Sequence, residues 1–284
     1  MKEFFVAIDS DGTVFDVMEL KHKECFIPNV IRYWNLQPIS KYARETAEFV
    51  NLYSVLRGVN RFPAYLKMLD LLKDRVEVKR RNYVVPSMDA LRKWVEDTHT
   101  LSNDALENEI RCNKSTDLIQ ALEWSNACNR DIAEMVKGVP PFPYVAESLD
   151  KLSEYADIAV VSSAQEESLH REWSEHGLDN YLKHVYGQER GSKKDCISRI
   201  KSAGYSDHKI LMIGDAMGDF EAAQKNGVLF YPIIPGKEEH SWYRFYNEAI
   251  QRFFDEDYAG EYQKQLINQF IDCLSEIPSW NSVS

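Results

Sequence analysis

Phe4-Phe5-Val6-Ala7-Ile8-Asp9-Ser10-Asp11-Gly12-Thr13-Val14 is the stretch whose reading decides the fold. Its apolar run predicts a short buried strand over residues 3–9. Two carboxylates one residue apart then fall where the strand gives way to a glycine turn. Carboxylates at the edge of an apolar core are costly unless a cation or hydrogen bonds compensate. The pair therefore reads as a reactive centre, with one carboxylate to attack, one to move a proton, and a hard metal ion to hold them together. The plainer reading is a strand that ends in an Asp-Gly turn.

Downstream, the pattern from about 17 to 136 is helical. Apolar residues recur at helical spacing in Pro63–Leu72, Met88–Val95 and Ser115–Val136, with a more polar helix at Ser102–Cys112. Gly138-Val139-Pro140-Pro141-Phe142-Pro143 breaks that pattern and reads as a linker. The rhythm then alternates. Helices are expected at Tyr144–Tyr155, Gln165–His176, Ser192–Ala203 and Asp219–Asn226. Short strands are expected at Ile158–Val161, His184–Tyr186, Lys209–Ile213 and Val228–Ile234. Such alternation implies an α/β core with a parallel sheet and helices on both faces. The simplest arrangement is a Rossmann-like core from residues 1–16 and 140–284, with 17–139 inserted as an α-helical domain. A helical extension starts at about 239.

In parallel sheets, functional groups gather beyond the C-terminal strand ends. Four such places carry polar residues here. They are Asp9 and Asp11, then Ser162-Ser163, then Lys193 and Lys194 opening a helix, then Gly214-Asp215 with Asp219. Each has a simple structural reading. Ser-Ser after a strand and Asp215 suit helix caps, and lysines at a helix start are commonly solvated. Their recurrence at successive strand ends is what makes the set specific.

On these residues the chain resembles the haloacid dehalogenase superfamily, in particular its phosphatase and β-phosphoglucomutase-like members. Asp9-Ser10-Asp11-Gly12-Thr13-Val14 matches that family's first motif, Val160-Val161-Ser162 the second, Lys193 the third, and Gly214-Asp215 with Asp219 the fourth. The resemblance implies a Mg²⁺-dependent phosphatase acting on a small phosphorylated metabolite. Asp9 would attack phosphorus to form an aspartyl-phosphate. Asp11 would protonate the leaving alcohol and then deprotonate the attacking water. Mg²⁺ would be held by Asp9, the Asp11 carbonyl and Asp215, with Asp219 as ligand or support. Lys193 would offset charge repulsion, while Ser162 and the amides of Gly12 and Ser163 would bind phosphoryl oxygens. Dehalogenases of the family lack the second aspartate of motif one, so Asp11 favours phosphate esters. Lys194 is the alternative for the third motif, since the Lys-Pro followed by another Pro and Asp that many relatives show is replaced by Gly191-Ser192-Lys193-Lys194-Asp195.

The helical insert sits where the family carries a cap domain. Leu56-Arg57-Gly58-Val59-Asn60-Arg61 resembles the substrate-reading loop of the mutase-like members, which makes Arg57 and Arg61 candidates for substrate binding through bidentate donors. The alternative is a helix–helix turn with two solvated arginines. The mutases usually carry Glu-Asp where this chain has Gly214-Asp215, which favours a hydrolase over a phosphomutase. Lys21 or Lys41 as a Schiff-base lysine of the phosphonoacetaldehyde-hydrolase kind, His22 as a polar cap residue, and a non-catalytic binding protein are weaker readings.

The bulk numbers agree. With 284 residues, 44% hydrophobic and 28% charged, the chain suits one large or two smaller globular domains. A net charge of −11 disfavours nonspecific binding to nucleic acid or anionic membrane. Five dispersed cysteines without CxxC read as reduced thiols. Neither a secretory segment nor a membrane-spanning run is seen, so a cytoplasmic location is the default expectation. The aromatic-rich tail from Trp242 to Phe270 is expected to pack on the core, with a dimer interface as the alternative, leaving a monomer or homodimer.

Overall fold

The structure is a computed structural model and describes residues 1–281. The chain forms two compact units. One comprises Met1–Val17 and Gly138–Leu274; the other comprises Met18–Lys137 and residues 275–281.

The first unit is built on five parallel strands: β1 (Phe4–Ile8), β2 (Ala156–Val161), β3 (Leu182–Tyr186), β4 (Ile210–Gly214) and β5 (Leu229–Pro232). Their order is β3-β2-β1-β4-β5. All five side chains of β1 are buried, as continuous apolar runs require when both faces of a sheet are covered. Ile8 aligns with Val160 on one side and Ile213 on the other. The chain runs outward from β1 through β2 to β3, then returns to the far side of β1 for β4 and β5. β1 is thus the switch point of the sheet, the place where a crevice opens at the strand ends. Because every strand is parallel, the residues just after β1, β2 and β4 lie at one edge.

The aromatic extension packs into this unit. Trp242, Phe245, Phe253, Tyr258 and Phe270 are all fully buried. It also closes the exposed edge of the sheet. The Phe230 N–H of β5 donates to Gln263 Oε1 at 2.9 Å, and the Phe230 carbonyl accepts from the Tyr258 hydroxyl at 2.7 Å. An open strand edge would otherwise leave these backbone groups as a template for association.

The second unit is helical. Its main helices are Ile27–Tyr33, Ser40–Glu48, Arg61–Asp74, Asp89–Asp97, Asn103–Cys112 and Thr116–Met135. Trp34, Tyr65 and Trp124 form its aromatic centre, with Trp34 stacked on Tyr65 at 4.0 Å and meeting Trp124 edge-on at 5.4 Å. Two wide π-helical segments, Lys21–Phe26 and Phe49–Tyr53, interrupt the regular α-helical pattern and carry no distinctive periodicity of their own.

One boundary differs from the sequence reading. The stretch 140–284 does not stay together, because the segment from Ser275 belongs to the helical unit. Ser275 N–H donates to the Tyr53 carbonyl at 3.1 Å and its carbonyl accepts from Val55 N–H at 3.2 Å. Trp280 lies under the Arg75 guanidinium at 4.3 Å and meets Phe49 edge-on at 5.5 Å. These partners are more than 200 positions upstream, and no local pattern announces them. Among the described residues no helix is long and apolar enough to cross a membrane. Among the described residues no disulfide joins the five cysteines.

Candidate active site

Asp9 follows β1 directly. Its N–H donates to the Ile213 carbonyl at 2.9 Å, which carries the strand pairing one residue further and fixes Asp9 beside β4. The chain then turns tightly about Ser10, whose carbonyl receives the N–H groups of Thr13, Val14 and Phe15 at 3.3, 2.8 and 3.2 Å. Gly12 takes φ +73° in this turn, a region that a side chain disfavours.

β4 ends on Gly214, and here glycine is required by space. A Cβ at this position would lie 2.2 Å from Asp219 Cγ. Its absence lets Asp219, in the first turn of the helix Met217–Asn226, fold back over the strand end. Asp219 Oδ2 accepts the Ala216 N–H at 3.1 Å and so caps its own helix. The helix Lys193–Ser202 starts with a capping box between Ser192 and Asp195. That box fixes the helix start, and Lys193 extends from it to place Nζ 2.8 Å from Asp9 Oδ2 and 2.6 Å from Asp219 Oδ1. Thr13 completes the set by donating its hydroxyl to Asp215 Oδ1 at 2.7 Å.

Asp9, Asp215 and Asp219 are all buried, and one oxygen from each lies within 4.8 Å of the others. Formally ionised, these three carboxylates outnumber the Lys193 ammonium by two in a water-poor place. Burial, with Asp215 beside it, raises Asp9 above the usual carboxylate range despite Lys193. Burial likewise pushes Asp219 up to about 8 against the pull of Lys193. For Lys193 burial opposes the charge, but Asp219 and Asp9 outweigh it and hold the ammonium protonated. Asp9 Oδ1 is buried and makes no hydrogen bond. An all-oxygen donor set, a deficit of two charges and an unpartnered buried oxygen fit a hard divalent cation. Asp219 has both oxygens engaged, by Lys193 and by Ala216, which suits it to support the cluster rather than to bind first.

Other residues singled out in the sequence fall as follows. Ser162, at the end of β2, is buried; its N–H donates to the Tyr186 carbonyl and its Oγ accepts the Ala164 N–H at 3.3 Å. Ser163 beside it is exposed, and Asp11 is half-buried on the turn. Lys194 is exposed, whereas Lys193 reaches the carboxylates. The Gly12 N–H, expected to meet a phosphoryl oxygen, is instead engaged inside the turn by the Phe15 carbonyl at 2.9 Å.

The two arginines have partners within the helical unit and are not solvated turn residues. Arg57 is buried and donates to the Leu52 carbonyl at 3.1 Å. Arg61 Nη1 donates to the Ser125 carbonyl, the Ser125 hydroxyl and Asn129 Oδ1. Its guanidinium also covers the Phe26 ring at 4.8 Å. His22 stacks on Phe26, Lys21 is buried, and Lys41 is exposed beside Glu45.

Sequence reasoning missed the residues that hold the turn: the Thr13 hydroxyl, Trp173, whose Nε1 donates to Ser10 Oγ at 3.1 Å, and Trp242, whose Nε1 donates to the Thr13 carbonyl at 2.7 Å. A threonine inside the motif was a visible signal. The tryptophans, 163 and 229 positions away from their partners, gave none.

Residues 77–233, more than half of the chain, match the family of haloacid dehalogenase-like hydrolases. The match takes in Ser162, Lys193, Asp215 and Asp219; Asp9 and Asp11 lie upstream of it. Among solved structures, a β-phosphoglucomutase from Clostridium difficile is similar with 13% identity, covering 90% of this chain and 98% of its own, at a TM-score of 0.53. A protein from Bacteroides fragilis described as a haloacid dehalogenase-like hydrolase shares 14% identity over 84% of this chain and 93% of its own, also at 0.53. At such identities the likeness concerns the fold alone. No curated protein sequence matches significantly. With more than half of its length matching the family and a parallel sheet of β3-β2-β1-β4-β5 order, the chain belongs to the haloacid dehalogenase-like hydrolases.

Proposed function

We propose that this hydrolase is a Mg²⁺-dependent phosphatase that cleaves a small phosphorylated metabolite through an aspartyl-phosphate on Asp9. The observation that carries the reading is the buried cluster itself, in which Lys193 spans Asp9 and Asp219 while Asp9 Oδ1 is left without a hydrogen bond. A structural ion-pair network would satisfy that oxygen; a reactive carboxylate needs it open.

Asp9 attacks phosphorus, and the P–O bond to the alcohol breaks. Asp11, two residues on and half-exposed, gives its proton to the departing oxygen. It then takes a proton from the water that attacks the phosphoryl group on Asp9, so that phosphate leaves and Asp9 is restored. The Lys193 ammonium, held against Asp9, offsets the charge of the incoming phosphate dianion. The Ser162 hydroxyl at the neighbouring strand end donates to a phosphoryl oxygen. Asp9, Asp215 and the Asp11 carbonyl would hold Mg²⁺, which would supply the positive charge that lets a carboxylate approach phosphate.

Gly214 supports hydrolysis over phosphoryl transfer between sugar positions. The glutamate associated with the mutases at this place would put its Cβ 2.2 Å from Asp219 Cγ and displace Asp219 from Lys193.

The test is phosphate release from p-nitrophenyl phosphate with Mg²⁺ and without any bisphosphorylated activator, followed by a screen over sugar phosphates, nucleotides, phosphoglycolate and phosphonates. Chelation should stop turnover, and Asp9→Asn should abolish it. Undiminished turnover in Asp9→Asn would sink the assignment. Dependence on a bisphosphorylated activator would favour the mutase.

A further inference from the structure

The C-terminal extension lies beyond residue 233, where the family match ends, yet it reaches the turn that carries motif one. Trp242 and Thr13 are both fully buried, and the indole N–H donates to the Thr13 carbonyl at 2.7 Å. The Thr13 hydroxyl in turn donates to Asp215 Oδ1 at 2.7 Å. The other backbone bond of Thr13, from its N–H to the Ser10 carbonyl, is longer, at 3.3 Å. The indole is therefore the shorter of the two constraints on this residue.

Trp242 is itself well held. Its neighbour Ser241 accepts the Ile234 N–H on Oγ at 3.1 Å and the Tyr231 hydroxyl on its carbonyl at 2.6 Å. The Trp242 ring meets Phe245 edge-on at 5.5 Å. On the same turn Trp173 holds Ser10 Oγ. Two indoles from distant helices thus grip the loop between Asp9 and Val14.

We propose that Trp242 is a positioning residue for the site: by fixing the Thr13 carbonyl it holds the Thr13 hydroxyl on Asp215, and so orients the carboxylate that binds the metal. This rests on the Mg²⁺-phosphatase reading above. Groups that orient metal ligands through hydrogen bonds commonly set affinity by 10- to 100-fold, because a carboxylate free to rotate must be ordered again by the ion. The extension is then part of the working enzyme and not an ornament on it.

The experiment compares Trp242→Phe, which keeps a buried ring but loses the N–H, with Tyr258→Phe. The latter removes a hydrogen bond of the same length from the same extension, to Phe230, away from motif one. Mg²⁺ is titrated against melting temperature without substrate, and kcat and KM are measured with p-nitrophenyl phosphate. Trp242→Phe should raise the half-saturating Mg²⁺ concentration about 10-fold or more and lower kcat at limiting Mg²⁺. Tyr258→Phe should lower the melting temperature but leave the Mg²⁺ requirement unchanged. Thr13→Val should shift that requirement by a similar factor, and the double variant should add nothing further. Equal Mg²⁺ requirements in wild type and Trp242→Phe would overturn the proposal. If Trp242→Phe does not fold, an unchanged requirement in Thr13→Val overturns it. A wild-type protein that neither binds Mg²⁺ nor releases phosphate would instead refute the phosphatase reading, and the proposal with it.

Discussion

Replacing Lys193 with methionine removes the ammonium from the carboxylate cluster while keeping a stem that reaches as far as the lysine Cε. Its Nζ lies 2.8 Å from Asp9 and 2.6 Å from Asp219, whose side chains are 8% and 0% exposed. What remains is three carboxylates within 4.8 Å of one another. At an effective dielectric constant of about 20, each pair at that separation repels by about 3–4 kcal/mol. The folded variant escapes by binding one proton more than the wild type. Holding that proton costs about 1.4 kcal/mol for each pH unit above the ordinary carboxylate pKa of about 4. The loss of stability is therefore capped at about 1–2 kcal/mol at pH 5 and about 4–5 kcal/mol at pH 7.5. The upper figure agrees with the roughly 3–5 kcal/mol typical of breaking a buried ion pair from one side.

The sign follows from proton counting. The folded variant binds the extra proton and the unfolded chain does not, so its stability relative to wild type falls as pH rises through that window. The direction agrees with the wild-type site, where burial already raises Asp9 and Asp219. Urea unfolding of both proteins, metal-free, at pH 5 and pH 7.5 measures the gap. It should widen by about 3 kcal/mol between the two conditions, and Mg²⁺ should restore part of the loss at pH 7.5. Phosphatase activity should fall by about 100-fold or more. An equal gap at both pH values, or one below about 1 kcal/mol at pH 7.5, would refute the account of a strained, buried, charge-deficient cluster.

Gly214→Ala places a methyl group against Asp219, so it should cost about 1–3 kcal/mol in denaturant unfolding and weaken Mg²⁺ binding in a titration; unaltered binding would mean that Asp219 moves aside freely. Asp157 is half-buried, which works against its charge, yet Lys183, the Tyr205 hydroxyl and the Lys2 N–H outweigh that and hold its carboxyl down to about 2. Its contribution of about 2 kcal/mol is fully present above pH ~4 and is lost as pH falls through ~2. Asp157→Asn should therefore destabilise at pH 7 but not near pH 2, and an equal effect at both would contradict the assignment. Trp280→Ala removes the ring under Arg75 and beside Phe49, and should cost about 1–2 kcal/mol in thermal unfolding. No change would mean that the segment after Leu274 contributes nothing to the helical unit.

Much of the α/β unit was legible along the chain, because each strand is a short apolar run and Asp9, Ser162 and Asp215 each follow one directly. Asp9, Asp215 and Asp219 could be named from position alone: parallel strands must bring their C-terminal ends to one edge, whatever else the chain does. Lys193 was separable from Lys194 only by geometry, since a helix start sends successive side chains in different directions and only one meets the carboxylates. The Gly12 amide was misplaced because the sequence shows a turn but not which carbonyl its N–H meets. Arg57 and Arg61 stood out as charges in a loop, and packing alone decided that each has partners inside the helical unit.

By itself, then, the sequence determined the parallel sheet, the inserted helices and the sheet edge at which Asp9, Asp215 and Asp219 gather, because these follow from local periodicity and strand direction. Only the tertiary structure decided that the segment after Leu274 joins the helical unit, that Gly214 makes room for Asp219, and that Trp242 holds the turn of Asp9 and Asp11. Those contacts join residues far apart in the chain, and a hydrogen bond or a steric limit between such residues leaves no periodic trace in either segment.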